Sequence, residues 1–171
     1  MAGASWNHVV LVSNLTAALL NTLWDQGCYV LSSDMCVRVE ARDLDTDPDL
    51  SVVCGEPVFL SEKRIVLLNP VLIVEVLSSS TESYDRGQKF KFYRALPSLQ
   101  EYVLVAQDRI NVEIFRKNDE GHWVLYETDP EQGTVELASV DCTVSLDDVY
   151  AGVTFDAAGA RDRPTEGTGT A

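Results

Sequence analysis

The sequence predicts an α/β fold: a mixed β-sheet with a four-stranded core, flanked by two helices and extended by a C-terminal antiparallel meander. Three observations predict it. Residues 5–26 carry Val12, Leu15, Leu19 and Leu23 at helical spacing. Residues 70–77, PVLIVEVL, are apolar on both faces, which suits a central strand covered on both sides. After residue 100, short apolar segments recur between turn residues.

The elements follow in order. Ser5 can cap the first helix and Gly27 can end it. Residues 28–31 and 35–41 read as strands, the second with Met35, Val37 and Val39 alternating with Cys36, Arg38 and Glu40. The segment 43–48, DLDTDP, reads as an acidic turn, and 50–54 as a short strand before a Gly-Glu-Pro loop. After the central strand, 78–83 is a loop of helix-capping residues. A helix over 84–96 is stopped by Pro97. Strands are predicted at 102–106, 110–116, 123–127 and 135–137, then a short helix at 146–152. Residues 1–155 form one predicted domain. Residues 156–171 hold no Val, Ile, Leu or aromatic residue and are expected to be a disordered tail.

Composition narrows the function. A hydrophobic content of 46% excludes a disordered chain. No apolar run is long enough to span a bilayer, and no basic segment leads into an apolar one at the N-terminus, so the expectation is a cytoplasmic protein without a membrane partner. The net charge of −14 opposes general coating of nucleic acid, because phosphate contacts dominate such binding. The charge is uneven: residues 1–60 carry −6, 61–100 carry +2 and 101–171 carry −10. An anionic ligand is therefore expected to approach the middle stretch. Cys28, Cys36, Cys54 and Cys142 form no C-x-x-C pair, and His8 and His122 have no zinc spacing. All four cysteines read as small core residues in a reducing compartment, with a disulfide as the lesser alternative. Phosphate-loop, dinucleotide and nucleophile-elbow motifs are absent from the sequence.

Glu75 is the informative residue, a carboxylate in mid-strand with apolar neighbours on both faces. Buried, it must be neutralised, paired or bound to a cation. A salt-bridged structural glutamate is the plainer reading. Asp49 follows Pro48 and opens the next apolar strand. Two carboxylates at neighbouring strand positions would make a hard oxygen site of the kind Mg²⁺ uses, although Asp-Pro-Asp is also ordinary turn chemistry. On the helix, Arg86, Lys89 and Tyr93 share one arc at helical spacing and can face those carboxylates. The alternative for Lys89 is an exposed pair with Asp85.

The runs PDLSVVCG and NPVLIVEVLSSSTESYDRGQKFKFYRALPSLQEYVLV resemble the Uma-two family of restriction-endonuclease-like proteins, within the PD-(D/E)XK nuclease superfamily. The matching parts are Pro48-Asp49, Glu75 to Ser78, Ser80-Thr81, Asp85, Lys89, Tyr93 and Glu101-Tyr102. The resemblance spans roughly residues 3–155. It implies a restriction-endonuclease-like fold and a Mg²⁺- or Mn²⁺-dependent endonuclease acting on DNA. Asp49, Glu75 and the backbone carbonyl of Val76 would hold the metal. The superfamily's usual lysine position is Leu77 here, so Lys89 would orient the attacking water or stabilise the phosphate. Two departures stand out. The family's segment preceding MAGAS, with a strand pair and a glutamate, is expected to be missing. Asp45 and Asp47 stand where an aromatic residue is usual.

Arg86 is a candidate phosphate contact, or an exposed helix arginine. His8 reads as a surface or capping residue rather than a metal ligand. Trp6, Trp24 and Trp123 read as core or interface residues, and Tyr93 as packing under Lys89. The alternative function is a nuclease-like fold that no longer cuts and serves as an interaction module or homodimer, paired through an open sheet edge.

Overall fold

The computed structural model describes residues 4–155. The expected tail, 156–171, lies outside the described residues. Helix α1 (Trp6–Leu23) begins where Ser5, in extended backbone, accepts a hydrogen bond from the His8 N–H. Leu11, Leu15, Leu19 and Leu23 form its buried stripe; Val12 is half-buried beside them. A 3₁₀ turn, Trp24–Gln26, follows, and Gly27 ends it at φ +69°, a conformation that a Cβ disfavours. Trp24 stands 78% exposed there, outside the core, which was one of the two roles expected for it.

The strands are β1 (Cys28–Ser32), β2 (Cys36–Val39), β3 (Leu44–Thr46), β4 (Leu50–Cys54), β5 (Val66–Leu67), β6 (Leu72–Leu77), β7 (Glu101–Ala106), β8 (Val112–Lys117), β9 (Trp123–Glu127), β10 (Thr134–Leu137) and β11 (Cys142–Ser145). Six of them form the main sheet in the order β1-β4-β6-β7-β8-β9. Strand β6 is central, buried at every residue, and runs parallel to β7; the other neighbours in this sheet pair antiparallel. The crossover between β6 and β7 carries helix α2 (Glu82–Tyr84), a π turn (Asp85–Lys89) and helix α3 (Phe90–Tyr93). It replaces the single regular helix expected over 84–96.

The sheet divides two cores. On one face the α1 stripe packs against Leu50, Val52, Val74, Val76, Val103 and Val105. On the other, Phe90 and Tyr93 pack against Ile73, Leu77, Tyr102 and Leu104. Alternate residues of β6 serve the two faces, so Glu75 belongs to the second. No helix among the described residues is long and apolar enough to cross a membrane.

Three further sequence expectations need correction. The acidic segment is a hairpin arm, not an open turn. The 3₁₀ turn Glu40–Arg42, closed by Asp43 at φ +50°, folds β3 back onto β2. Arg38 bonds both Asp43 and Asp45 there, so the acidic residues are matched across the strand pair. The meander extends the sheet only as far as β9. Strands β10 and β11 form a separate hairpin, which joins the α1-side core ahead of helix α4 (Leu146–Val149). One link to the sheet is Glu101, fully buried at the start of β7, which accepts from Arg116 and from the Ala138 and Ser139 N–H groups.

The third correction concerns the cysteines. Cys28 and Cys54 face one another across the β1–β4 ladder with Cα atoms 4.0 Å apart and are joined as a disulfide. Antiparallel register brings them together, and a separation of 26 residues conceals this in the sequence. Cys142 is a buried core residue, as expected, while Cys36 is half-buried. Denatured, unreduced protein is therefore expected to titrate two thiols with a thiol reagent, rising to four after reduction. Four thiols before reduction would remove the bridge.

Candidate active site

The C-terminal end of β6 is where the chemistry-bearing side chains meet. Asp49 stands just ahead of β4, the antiparallel neighbour of β6. Its Oδ2 accepts the Val76 N–H at 2.8 Å, which extends the β4–β6 pairing through a side chain. In an extended strand the N–H and C=O of one residue leave toward the same side, so the Val76 carbonyl points toward Asp49 as well. Glu75, 3% exposed, projects onto the face covered by the crossover helix. Lys89 on the π turn places its Nζ 2.6 Å from Glu75 Oε1 and 3.4 Å from Asp85 Oδ1. Tyr93, one turn further, donates its O–H to the same Glu75 oxygen at 3.0 Å.

The expectation that Lys89 and Tyr93 face the carboxylates therefore agrees with the geometry, and Tyr93 also supplies a hydrogen bond. Arg86 parts company with them. Its guanidinium bonds Glu82 at 2.8 Å and also Glu113 on β8. A π turn has more residues per turn than an α-helix, so positions on either side of it lose α-helical spacing. Arg86 is thus held by two carboxylates and does not line the cleft around Glu75.

His8 is the residue that sequence reasoning discounted. From the first turns of α1 its Nε2 lies 3.2 Å from Asp49. That hydrogen bond outweighs partial burial and raises the imidazole above its ordinary pKa. A separation of 41 residues conceals this contact in the sequence.

Electrostatics set the character of the site. Burial pushes the Glu75 carboxyl up to about 7, against the pull of the Lys89 ammonium. Burial acts most strongly on Lys89 and would lower it, but the Glu75, Asp85 and Asp49 carboxylates together outweigh it and hold the ammonium above its usual range. Burial beside Glu75 drives the Tyr93 phenol well upward, so it remains an O–H donor. The three carboxylates, Asp49, Glu75 and Asp85, thus share one lysine and one histidine. They line an open cleft of about 620 Å³.

That donor set fits a hard divalent cation. Among the described residues there is no group of three or more His, Cys, Asp or Glu arranged as a metal centre. Mg²⁺ does not need one, since it is commonly held by one or two carboxylates, waters and the substrate's phosphate. Asp49, Glu75 and the Val76 carbonyl offer oxygen ligands at an open cleft. Burial, with smaller additions from Asp49 and Asp85, leaves Glu75 raised, and a cation at the cleft would favour its charged form.

Residues 1–147 match the model of the Uma2 family, described as "Putative restriction endonuclease". Two uncharacterised Synechocystis sp. proteins are similar along most of the chain. One, slr1290, is 36% identical over 91% of this chain and 80% of its own length. The other, sll1609, is 37% identical over 81% of this chain and 78% of its own. A crystal structure from Anabaena variabilis, titled "a putative nuclease belonging to DUF820", shares the fold with a TM-score of 0.72. It covers 87% of this chain and 83% of that one at 16% identity.

Proposed function

Because the chain belongs to the Uma2 family, we propose that it is a metal-dependent endonuclease that hydrolyses DNA phosphodiester bonds at the end of β6. One observation supports this reading above the rest. Asp49, Glu75 and Lys89 come from three separate elements and converge on one open cleft, with Lys89 in direct contact with Glu75. Asp49, Glu75 and the Val76 carbonyl would hold Mg²⁺ or Mn²⁺. The cation, when bound, supplies Lewis-acid polarisation of the phosphoryl oxygens and a more acidic water.

The chain's own residues account for the rest. Tyr93 and Lys89 both bind Glu75 Oε1 and so fix the carboxylate, leaving its other oxygen to hold the cation. The Val76 N–H and His8 fix Asp49 in the same way. Lys89 is the ammonium within reach of an attacking water and of the charge developing on phosphate. Water oxygen forms the new bond to phosphorus as the ester P–O bond breaks, and the departing oxygen takes up a proton.

Metal-binding and cleavage experiments test this together. Plasmid and single-stranded DNA should be cut with Mg²⁺ or Mn²⁺ and left intact with EDTA. Independently of activity, Mg²⁺ at ten times its dissociation constant should stabilise the wild type by about 1.4 kcal/mol, raising Tm by roughly 3–6 °C. Asp49→Asn should lose that shift. A wild type that neither shifts with metal nor cuts is instead the inactive interaction module.

A further inference from the structure

A second hollow, of about 770 Å³, adjoins the cleft. The two share Ser5, Ser78, Ser79 and Gln107, so they adjoin along that boundary, where Ser5 Oγ donates to Gln107 Oε1. Trp6, Phe155 and Arg109 line the second one. Trp6 is 71% exposed and so stands outside the core. Its indole N–H donates to the Gly152 carbonyl at 3.4 Å. That bond tethers the polar edge of the ring and leaves its apolar surface to the hollow. Trp24 is equally exposed but lines neither hollow, so position rather than exposure singles out Trp6.

The cations are few. Arg109 lines this hollow, already 2.9 Å from Asp108 and 3.8 Å from Glu82. Lys89 and His8 line the cleft and are committed to Glu75 and Asp49. In a chain of net charge −14, these offer weak purchase on phosphates, the usual source of nucleic-acid affinity. Stacking on an aromatic face requires no cation and tolerates any base. We propose that Trp6 is a stacking platform for a base of single-stranded DNA whose scissile phosphate lies in the adjoining cleft. The proposal rests on the nuclease reading and adds the substrate form: an unpaired strand, since a base within a duplex offers no free face.

The test is equilibrium binding in EDTA and low salt, read by fluorescence anisotropy. The probes are a labelled oligothymidylate and an abasic deoxyribose-phosphate oligomer of equal length and charge. Wild type should prefer the oligothymidylate. Trp6→Ala should lose about tenfold or more of that affinity, and Trp6→Phe should recover most of it. The abasic oligomer should bind wild type and Trp6→Ala alike. Equal oligothymidylate binding by wild type and Trp6→Ala overturns the proposal, as does an equal loss on the abasic oligomer, which would report a structural change. No preference of wild type for bases, or no binding, overturns it as well. Metal-dependent cleavage of single-stranded DNA by wild type, measured alongside, decides the nuclease reading separately.

Discussion

Lys89→Ala and Glu75→Gln should each reduce metal-dependent plasmid cleavage by about 10²–10³-fold or more, the usual cost of removing a preorganised electrostatic group. Their effects on stability should differ. Lys89→Ala leaves Glu75 facing Asp49 and Asp85 without the ammonium that sits 2.6 Å away. Stranding a buried charge costs about 3–5 kcal/mol. In the metal-free protein Glu75 can escape much of this by taking up a proton, because burial has already pushed it up to about 7. Tyr93 still donates to it. The expected loss is therefore about 1–3 kcal/mol.

Glu75→Gln keeps the side-chain volume and an acceptor for Tyr93, while Lys89 retains Asp85 at 3.4 Å. Its stability should stay within about 1 kcal/mol of wild type. A folded, stable and inactive Glu75→Gln is thus the informative result. The double variant should be no slower than the worse single variant, because residues acting as one unit are non-additive. Cleavage by Glu75→Gln at the wild-type rate would remove Glu75 from the chemistry.

Much of this arrangement was legible in the sequence because it depends on local patterns. Glu75 stands out in an apolar strand, Asp49 opens the next one, and a helix follows at a distance that returns Lys89 over the strand end. Strand β6 was readable for the same reason: it is apolar on both faces and so had to be central. What stayed hidden depends on register and on helix geometry. The bond from His8 to Asp49 exists only because α1 lies over the β4–β6 end of the sheet. Cys28 and Cys54 meet only because β1 and β4 pair in one register. The separate β10–β11 hairpin has the same alternation as a strand that extends a sheet. Nothing in DRGQK announces a π turn, yet that turn sends Arg86 toward Glu113 while Lys89 faces Glu75.

Glu101→Ala should be the most destabilising of these changes, at about 2–4 kcal/mol, or roughly 5–15 °C in Tm. Glu75 and Glu101 are both buried glutamates on neighbouring parallel strands, and their partners assign them opposite roles. Glu101 is enclosed by donors: Arg116 Nε at 2.6 Å, the Ala138 N–H at 3.2 Å and the Ser139 N–H at 3.0 Å. It faces the α1-side core and not the cleft, and it locks the turn between β10 and β11 onto the sheet. Without it, two backbone N–H groups lose their acceptor and the hairpin loses its tether. Arg116 is partly spared, since it also bonds the Glu136 carbonyl and lies over the Tyr126 ring, which keeps the estimate below the full cost of a stranded charge. Cleavage per folded molecule should be unchanged, because no atom of this network reaches Glu75 or Lys89. Denaturation of Glu101→Ala beside Glu75→Gln separates the two roles: one variant should be unstable but active, the other stable but inactive. A Glu101→Ala protein within about 0.5 kcal/mol of wild type would show that apolar contacts and the Arg116–Glu136 bond hold the hairpin to the sheet without Glu101.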